Sequence, residues 1–238
     1  MERREANSIS IQEKEGFFKE TLSFYKELSI EKQKEVLVIS HESKYKKGET
    51  LHAGSDDCSG LFLIKKGQVR VFIISESGKE ITLYRLFERD VCIFSASCMM
   101  RNINFKIFVE TEKDAEVYLI PTMAFKKLSE EVLPVSNFSN QLLASRFSDV
   151  MWVLEQVLFM SFDKRLALFL LEQATIEESD TFQMTQETIA RHLGSAREVV
   201  SRMLKYFAEE GLVEVTRGKV NILNREKLEQ LAYETAKV

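Results

Sequence analysis

Apolar positions change period three times along this chain, and the C-terminal third carries the sharpest pattern. Between Met184 and Val213, Ile189, Ala190 and Leu193 fall on one face of a short helix. Thr185 is placed to cap that helix, and Glu187 lies in its first turn, where a carboxylate suits the helix dipole. Gly194 follows where a left-handed backbone is needed to end it. Ser195 then opens a second helix, with Glu198 completing a Ser-x-x-Glu capping box. Val200, Met203, Leu204 and Phe207 form the buried stripe of this second helix, which turns Arg197, Glu198, Ser201 and Arg202 outward. Leu212 to Ile222 then alternates around Arg217-Gly218-Lys219, the pattern of a two-stranded ribbon with a basic tip.

Two short helices across a tight turn, followed by such a ribbon, predict a DNA-binding element. A guanidinium can give two parallel hydrogen bonds to guanine in the major groove, and a carboxylate can accept from the cytosine amino group. Ser201 can bond a base or a phosphate. Thr185 and Ser195 at the two helix starts, with Arg217 and Lys219 at the ribbon tip, complete the candidate DNA contacts. The other reading of the same pattern is a helical hairpin whose exposed charges are only solvated.

Upstream, Leu143, Phe147, Val150, Leu154 and Val157 recur at steps of four and three, a heptad seam, and Met151 and Leu158 add a second apolar flank. This pattern fits a helix paired with a second copy of the chain, or an amphipathic helix packed within one subunit. Pro134 marks a boundary before it and Ser161-Phe162-Asp163 one after it. Ser161 is placed to cap a helix with Leu166, Phe169 and Leu170 on one face.

Residues 44 to 121 follow a third pattern, short β-rich runs at Thr50–His52, Leu61–Lys65, Val69–Ser75, Ile81–Leu86, Ile107–Glu110 and Val117–Ile120. Gly60, Gly67 and Ser77-Gly78 punctuate them, and regular short strands point to a sandwich or barrel. Helical patterns flank the region, with Phe17, Phe18, Leu22 and Leu28 before it and Phe125 and Leu128 after it.

The segment from Met184 to Ile222 resembles the winged helix-turn-helix of Crp/Fnr-type bacterial transcription regulators, and the similarity extends over most of the chain. The resemblance implies an α+β organisation: a β-roll sensor, a cyclic-nucleotide-binding-like jelly roll of eight strands, over residues 1–134, a dimerisation helix over 135–160 and a winged helix-turn-helix over 161–238. Lys47-Gly48-Glu49-Thr50 and Lys66-Gly67-Gln68-Val69 match two turns of the family's roll. By the same resemblance, Arg197, Glu198 and Arg202 match base-reading positions, and Ser201 matches a serine of the Fnr-like branch. The long helix becomes the homodimer helix, its seam the interface. Two readers about 34 Å apart would then face an inverted repeat in double-stranded DNA.

Charge refines this picture. The chain carries 33 basic and 37 acidic residues, a net charge of −4. Ile189 to Lys219 nonetheless holds six basic residues against four acidic ones. Such a weak electrostatic footprint places the burden on two readers and a good site, not on general phosphate attraction. No run of about eighteen apolar residues could cross a bilayer, and MERREANSIS lacks a secretion signal's apolar stretch. Three cysteines of irregular spacing fit reduced cytoplasm.

The resemblance fails at one place. Cyclic-nucleotide-binding relatives carry a Gly-Glu pair for the ribose and an Arg-Ser for the phosphate, whereas Asp90 to Arg101 contains neither glycine nor glutamate, and the register of the phosphate arginine falls on Phe105 or Lys106 with Arg101 displaced. An uncompensated phosphate in an apolar pocket is costly, which argues against cyclic AMP. Cys92, Ser95, Ser97, Cys98 and Arg101 are the effector-region candidates, with Cys58 as a third thiol. Cys92 and Cys98 fit buried small hydrophobes or a thiol sensor; their spacing matches no metal motif, and no cysteine precedes Cys58 to build the iron–sulfur cluster of Fnr. The three histidines give no ligand pattern, and His192 is expected on a helix surface. No phosphate-cradling glycine loop, nucleophile elbow or His/Glu metal motif is found, so neither enzyme chemistry nor a cofactor is expected. Three accounts remain for the roll: a sensor for an unidentified small molecule, a ligand-free platform for a partner such as RNA polymerase, or a thiol or redox sensor through Cys92 and Cys98.

Overall fold

The computed structural model describes residues 2–54, 60–93 and 106–233, with side chains from residue 11 onward. Its chain divides into two compact units: residues to Ile73 with Leu83–Asp149, and Ile74–Thr82 with the residues from Val150 onward.

In the first unit, helices α1 (Glu2–Thr21) and α2 (Ile30–Ile39) precede strands β1 (His41–Tyr45), β2 (Thr50–Ala53), β3 (Gly60–Ile74), β4 (Glu80–Leu86), β5 (Val91–Cys92) and β6 (Phe108–Pro121), except that the last residue of β3 and the first three of β4 group with the second unit. The sheet runs β1-β6-β3-β4, with β2 also on β6 and β5 also on β3. Helix α3 (Thr122–Glu131) follows. Phe18, Leu22, Tyr25, Phe125 and Leu128 bury against Leu61, Leu63, Tyr118 and Ile120, so the flanking helical patterns do cover the sheet. Two pairs of expected runs prove to be single long strands. Gly67 is no turn: β3 passes through it, and the register on β6 shifts between Ile64 and Val69. A Cβ at Gly67 would sit 2.3 Å from the Asp114 carbonyl oxygen, and its φ of 96° suits glycine, so the pair bends there instead of reversing. The eight expected strands are therefore six among the described residues, two of them long.

Helix α4 (Leu133–Phe159) begins one residue before Pro134, which occupies its first turn, where a missing N–H costs nothing, and does not stand ahead of the helix. Leu143 packs in part against the core of the first unit. Further along, Phe147, Met151, Leu154, Val157 and Leu158 are between 43% and 66% exposed, and Val150 is half-buried, so most of the seam is uncovered within one subunit.

The second unit continues with α5 (Phe162–Ile176), β7 (Thr181–Gln183), α6 (Gln186–Leu193), α7 (Arg197–Glu209), β8 (Val213–Thr216), β9 (Lys219–Ile222) and α8 (Arg225–Tyr233). Ser161 takes the N-cap backbone position of α5 without a capping hydrogen bond from its side chain. Leu166, Leu170, Ile189, Val200, Leu204, Phe207, Val220 and Leu228 close one core. The ribbon β8-β9 gains a third strand, in the order β7-β9-β8.

Candidate nucleic-acid interface

The interface is built on α6 and α7. Thr185 caps α6 as its position requires: its hydroxyl accepts from the Thr188 amide at 3.1 Å. Gly194 ends the helix in the left-handed region at φ 64°. The Ser195 amide then donates 3.0 Å to the Ala190 carbonyl, closing the helix in a Schellman motif. That closure moves the second cap. Ala196, not Ser195, is the N-cap of α7, and no side chain bonds there, so the expected capping box is absent. Glu198 remains in the first turn, where its charge favours the helix dipole.

Val200, Leu204 and Phe207 are buried in the core, and Met203 packs on it. Opposite them, Arg197, Glu198 and Arg202 are exposed and Ser201 is half-buried. At 100° per residue, those four positions span an arc of about 140°, one continuous face. The face holds two guanidiniums, a carboxylate and a hydroxyl, the groups that can read base edges.

Arg217 and Gly218 form the turn between β8 and β9, and Arg217 and Lys219 are exposed at its tip. A cleft of about 520 Å³ runs between this tip, the start of α6 and the start of α7. Its lining includes Thr185, Gln186, Arg197, Thr216 and Arg217, so residues separated by up to 32 positions meet in one groove. The first turn of α6, the Thr185 hydroxyl and the Arg217 guanidinium suit a phosphate, although the Glu187 carboxylate shares the lining, and Arg197 joins this groove to the outward face of α7. Ser195 is half-buried at the α6–α7 turn and is not part of this lining.

Three residues outside the expected set shape the interface. His192, expected on the surface, is 5% exposed: its Nδ1 lies 2.8 Å from the Thr82 hydroxyl, and its ring rests 5.1 Å from that of Phe169. The contact spans 110 positions, so local periodicity carried no sign of it. Arg165, whose pKa is lowered by desolvation, donates from α5 to the Leu193 carbonyl at 2.5 Å and so supports the C-terminal end of α6. Thr82 belongs to a segment that gave no functional signal at all.

Of the effector-region candidates, Ser95, Ser97, Cys98 and Arg101 lie outside the described residues, as does Cys58. Cys92 is 0% exposed in β5, paired with Phe62, which withholds its thiol from solvent and fits the reading as a small hydrophobe. Beside it lies Tyr84, whose pKa is raised well above the usual tyrosine value by burial and by the neighbouring thiol. The Arg146 guanidinium stacks 4.8 Å over the Tyr84 ring and pairs with Asp149 at 2.8 Å. No helix among the described residues is long and apolar enough to cross a membrane.

Comparison with known proteins agrees with both halves of this layout. Residues 164–231 match the Crp-like helix-turn-helix domain, and residues 42–131 match the cyclic nucleotide-binding domain. A crystal structure of a crp/fnr-family transcriptional regulator from Eubacterium rectale is 47% identical, with a TM-score of 0.86 over 88% of this chain and 97% of that one. The transcriptional regulator flp of Lacticaseibacillus casei is 29% identical, covering 88% of this chain and 95% of its own. The cAMP-activated global regulator Vfr of Pseudomonas aeruginosa is 25% identical, over 79% and 91%.

Proposed function

We propose, for a chain that belongs to the Crp/Fnr family of transcription regulators, that it works as a homodimer reading an inverted-repeat operator under the control of a signal received at the β-roll. The observation that carries this reading is the uncovered face of α4. A helix that leaves Phe147 66% and Leu158 61% exposed beside Met151, Leu154 and Val157 loses solvation free energy on every turn unless something covers it. A second copy supplies the same apolar spacing on the same face, which is the isologous contact a two-fold axis requires. Pairing there would present two α7 faces about one helical turn of DNA apart.

Within each reader, Arg197, Glu198, Ser201 and Arg202 are assigned to base edges. Thr185, Arg217 and Lys219 are assigned to phosphate, with Ser195 at the turn. Selection of bound duplexes from a random library tests this directly: recovery of a two-fold-symmetric site supports it, and recovery of an asymmetric one contradicts it.

The signal is not a cyclic nucleotide in this reading, although the domain fold is the cyclic-nucleotide-binding one. Asp90 to Arg101 offers no glycine or glutamate for a ribose, and no arginine in the phosphate register. Titration calorimetry with cyclic AMP and cyclic GMP should give no heat of binding; micromolar binding of either would overturn this part. Buried Cys92 also argues against a direct thiol switch at that residue. A small molecule at the roll would shift operator affinity by roughly 1 to 3 kcal/mol, the range of allosteric coupling. If no compound in a metabolite and oxidant screen does so, the roll is a protein-contact platform, with RNA polymerase the partner to test. The reading assigns no catalytic residue and no metal or cofactor, and it places the chain in the bacterial cytoplasm.

A further inference from the structure

The cleft between the ribbon tip and the starts of α6 and α7 is deeper and more apolar than a DNA backbone needs. Its volume is about 520 Å³, a size that falls among sites enclosing an organic ligand, roughly 300 to 1,000 Å³. Met184, Leu204, Val215 and Val220 make its floor. Leu204 and Val220 are buried, whereas Met184 and Val215 stay only half-buried although they pack on the core of the reader.

The rim is of another kind. Thr185, Arg197 and Arg217 are exposed there, and among the described residues neither guanidinium is committed to an ion pair. Against these two positive charges the lining sets one carboxylate, Glu187, which leaves a balance that favours an anion. A phosphate engages such a rim through charge and hydrogen bonds. It releases no water from the apolar floor beneath, which only an apolar group can cover.

We infer that this cleft is a second control site, which takes an amphipathic carboxylate: an anionic head on Arg217 and Thr185, and an apolar body on Met184 and Val215. Thr185 and Arg217 are assigned to DNA phosphate in the reading above, on which this rests, so ligand and operator compete for the same groups. Control here is direct and separate from any signal received at the roll. The two kinds of control differ in form. A competitor raises the apparent operator Kd in proportion to its concentration, whereas a ligand acting from a distance raises it only to a fixed coupling factor.

The test measures operator affinity of the full chain by anisotropy, on a duplex obtained by selection, across a decanoate series kept below micelle formation. The apparent Kd should rise in proportion to decanoate. 1-Decanol keeps the chain and lacks the charge, so it should act about tenfold more weakly, the worth of a hydrogen bond to a charged group. Met184→Gln places an amide in the floor and should weaken the decanoate effect by about tenfold, while operator binding without decanoate stays near wild type. Val215→Thr keeps the side-chain shape and adds only a hydroxyl; it should act in the same direction, and it remains informative if Met184→Gln lowers the thermal midpoint. No effect of decanoate, or an effect that levels off at a fixed Kd, would overturn the inference and leave the DNA assignments standing. Equal potency of 1-decanol, or full decanoate sensitivity in both variants, would overturn it as well. Wild-type protein that binds no selected duplex would overturn the reader assignment, and the inference with it.

Discussion

Replacing Phe147 by alanine should separate the dimer while leaving each subunit folded. The magnitude follows from exposure. Full burial of such a side chain contributes about 1.5 to 3 kcal/mol, and the 66% still exposed in one subunit leaves about 1 to 2 kcal/mol for a partner to supply. A two-fold axis uses the residue twice, so the variant should lose about 2 to 4 kcal/mol of association, a rise in dimer Kd of roughly 30- to 900-fold. The alanine Cβ keeps some contact, which places the result toward the lower end. Sedimentation equilibrium across a concentration series measures the Kd directly. A parallel melt checks the fold, because the buried third of the ring also contributes within the subunit. An unchanged Kd with an unchanged melt would refute α4 as the dimer helix.

Three further perturbations probe other elements. Arg202→Ala should cost about 1 to 3 kcal/mol in operator binding and relax specificity at one base pair, measured by anisotropy on a set of single-base variants; uniform weakening would make Arg202 a phosphate contact instead. Gly194→Ala forces an L side chain into φ 64° with Ile81 at 3.3 Å, and should destabilise the chain by at least about 1 to 2 kcal/mol in denaturant titration. Tyr25, whose pKa is pushed from 10 to about 12 by burial and then by Glu15, holds its proton in the folded chain after the unfolded chain has lost it. Stability should therefore fall between pH 10 and about 12, by up to about 1.4 kcal/mol per pH unit from this group alone, and Tyr25→Phe should flatten that decline.

What was legible in the sequence divides by the range of the interactions that decide it. The stripe Val200, Leu204, Phe207 and the outward set Arg197, Glu198, Arg202 were readable, because one helix and its 3.6-residue period settle both. Thr185 as a cap and Gly194 as a stop were readable for the same reason. Ser195 misled: its spacing to Glu198 fits a capping box, but its amide is already committed to closing α6. Gly67 misled in the opposite sense. Its glycine signals a turn, while the reason for it is the close approach of Asp114 on a strand far along the chain. His41–Tyr45, read HESKY, lacks the apolar alternation of a strand and takes its order from its partner β6. Arg70 and Arg85 carry the charges of a solvated face yet are buried against Glu110 and Glu112, pairs that only the folded sheet creates. At the interface, Glu80, Thr82 and Arg165 were invisible, since each acts on α6 from another part of the chain.

A hydroxyl-radical footprint of the protein on its selected site tests the two-fold reader most directly. The account predicts two protected patches, mirror-related about the centre of the site and about 34 Å apart, one turn of the duplex. A single patch, or two patches repeated in the same orientation, would contradict it.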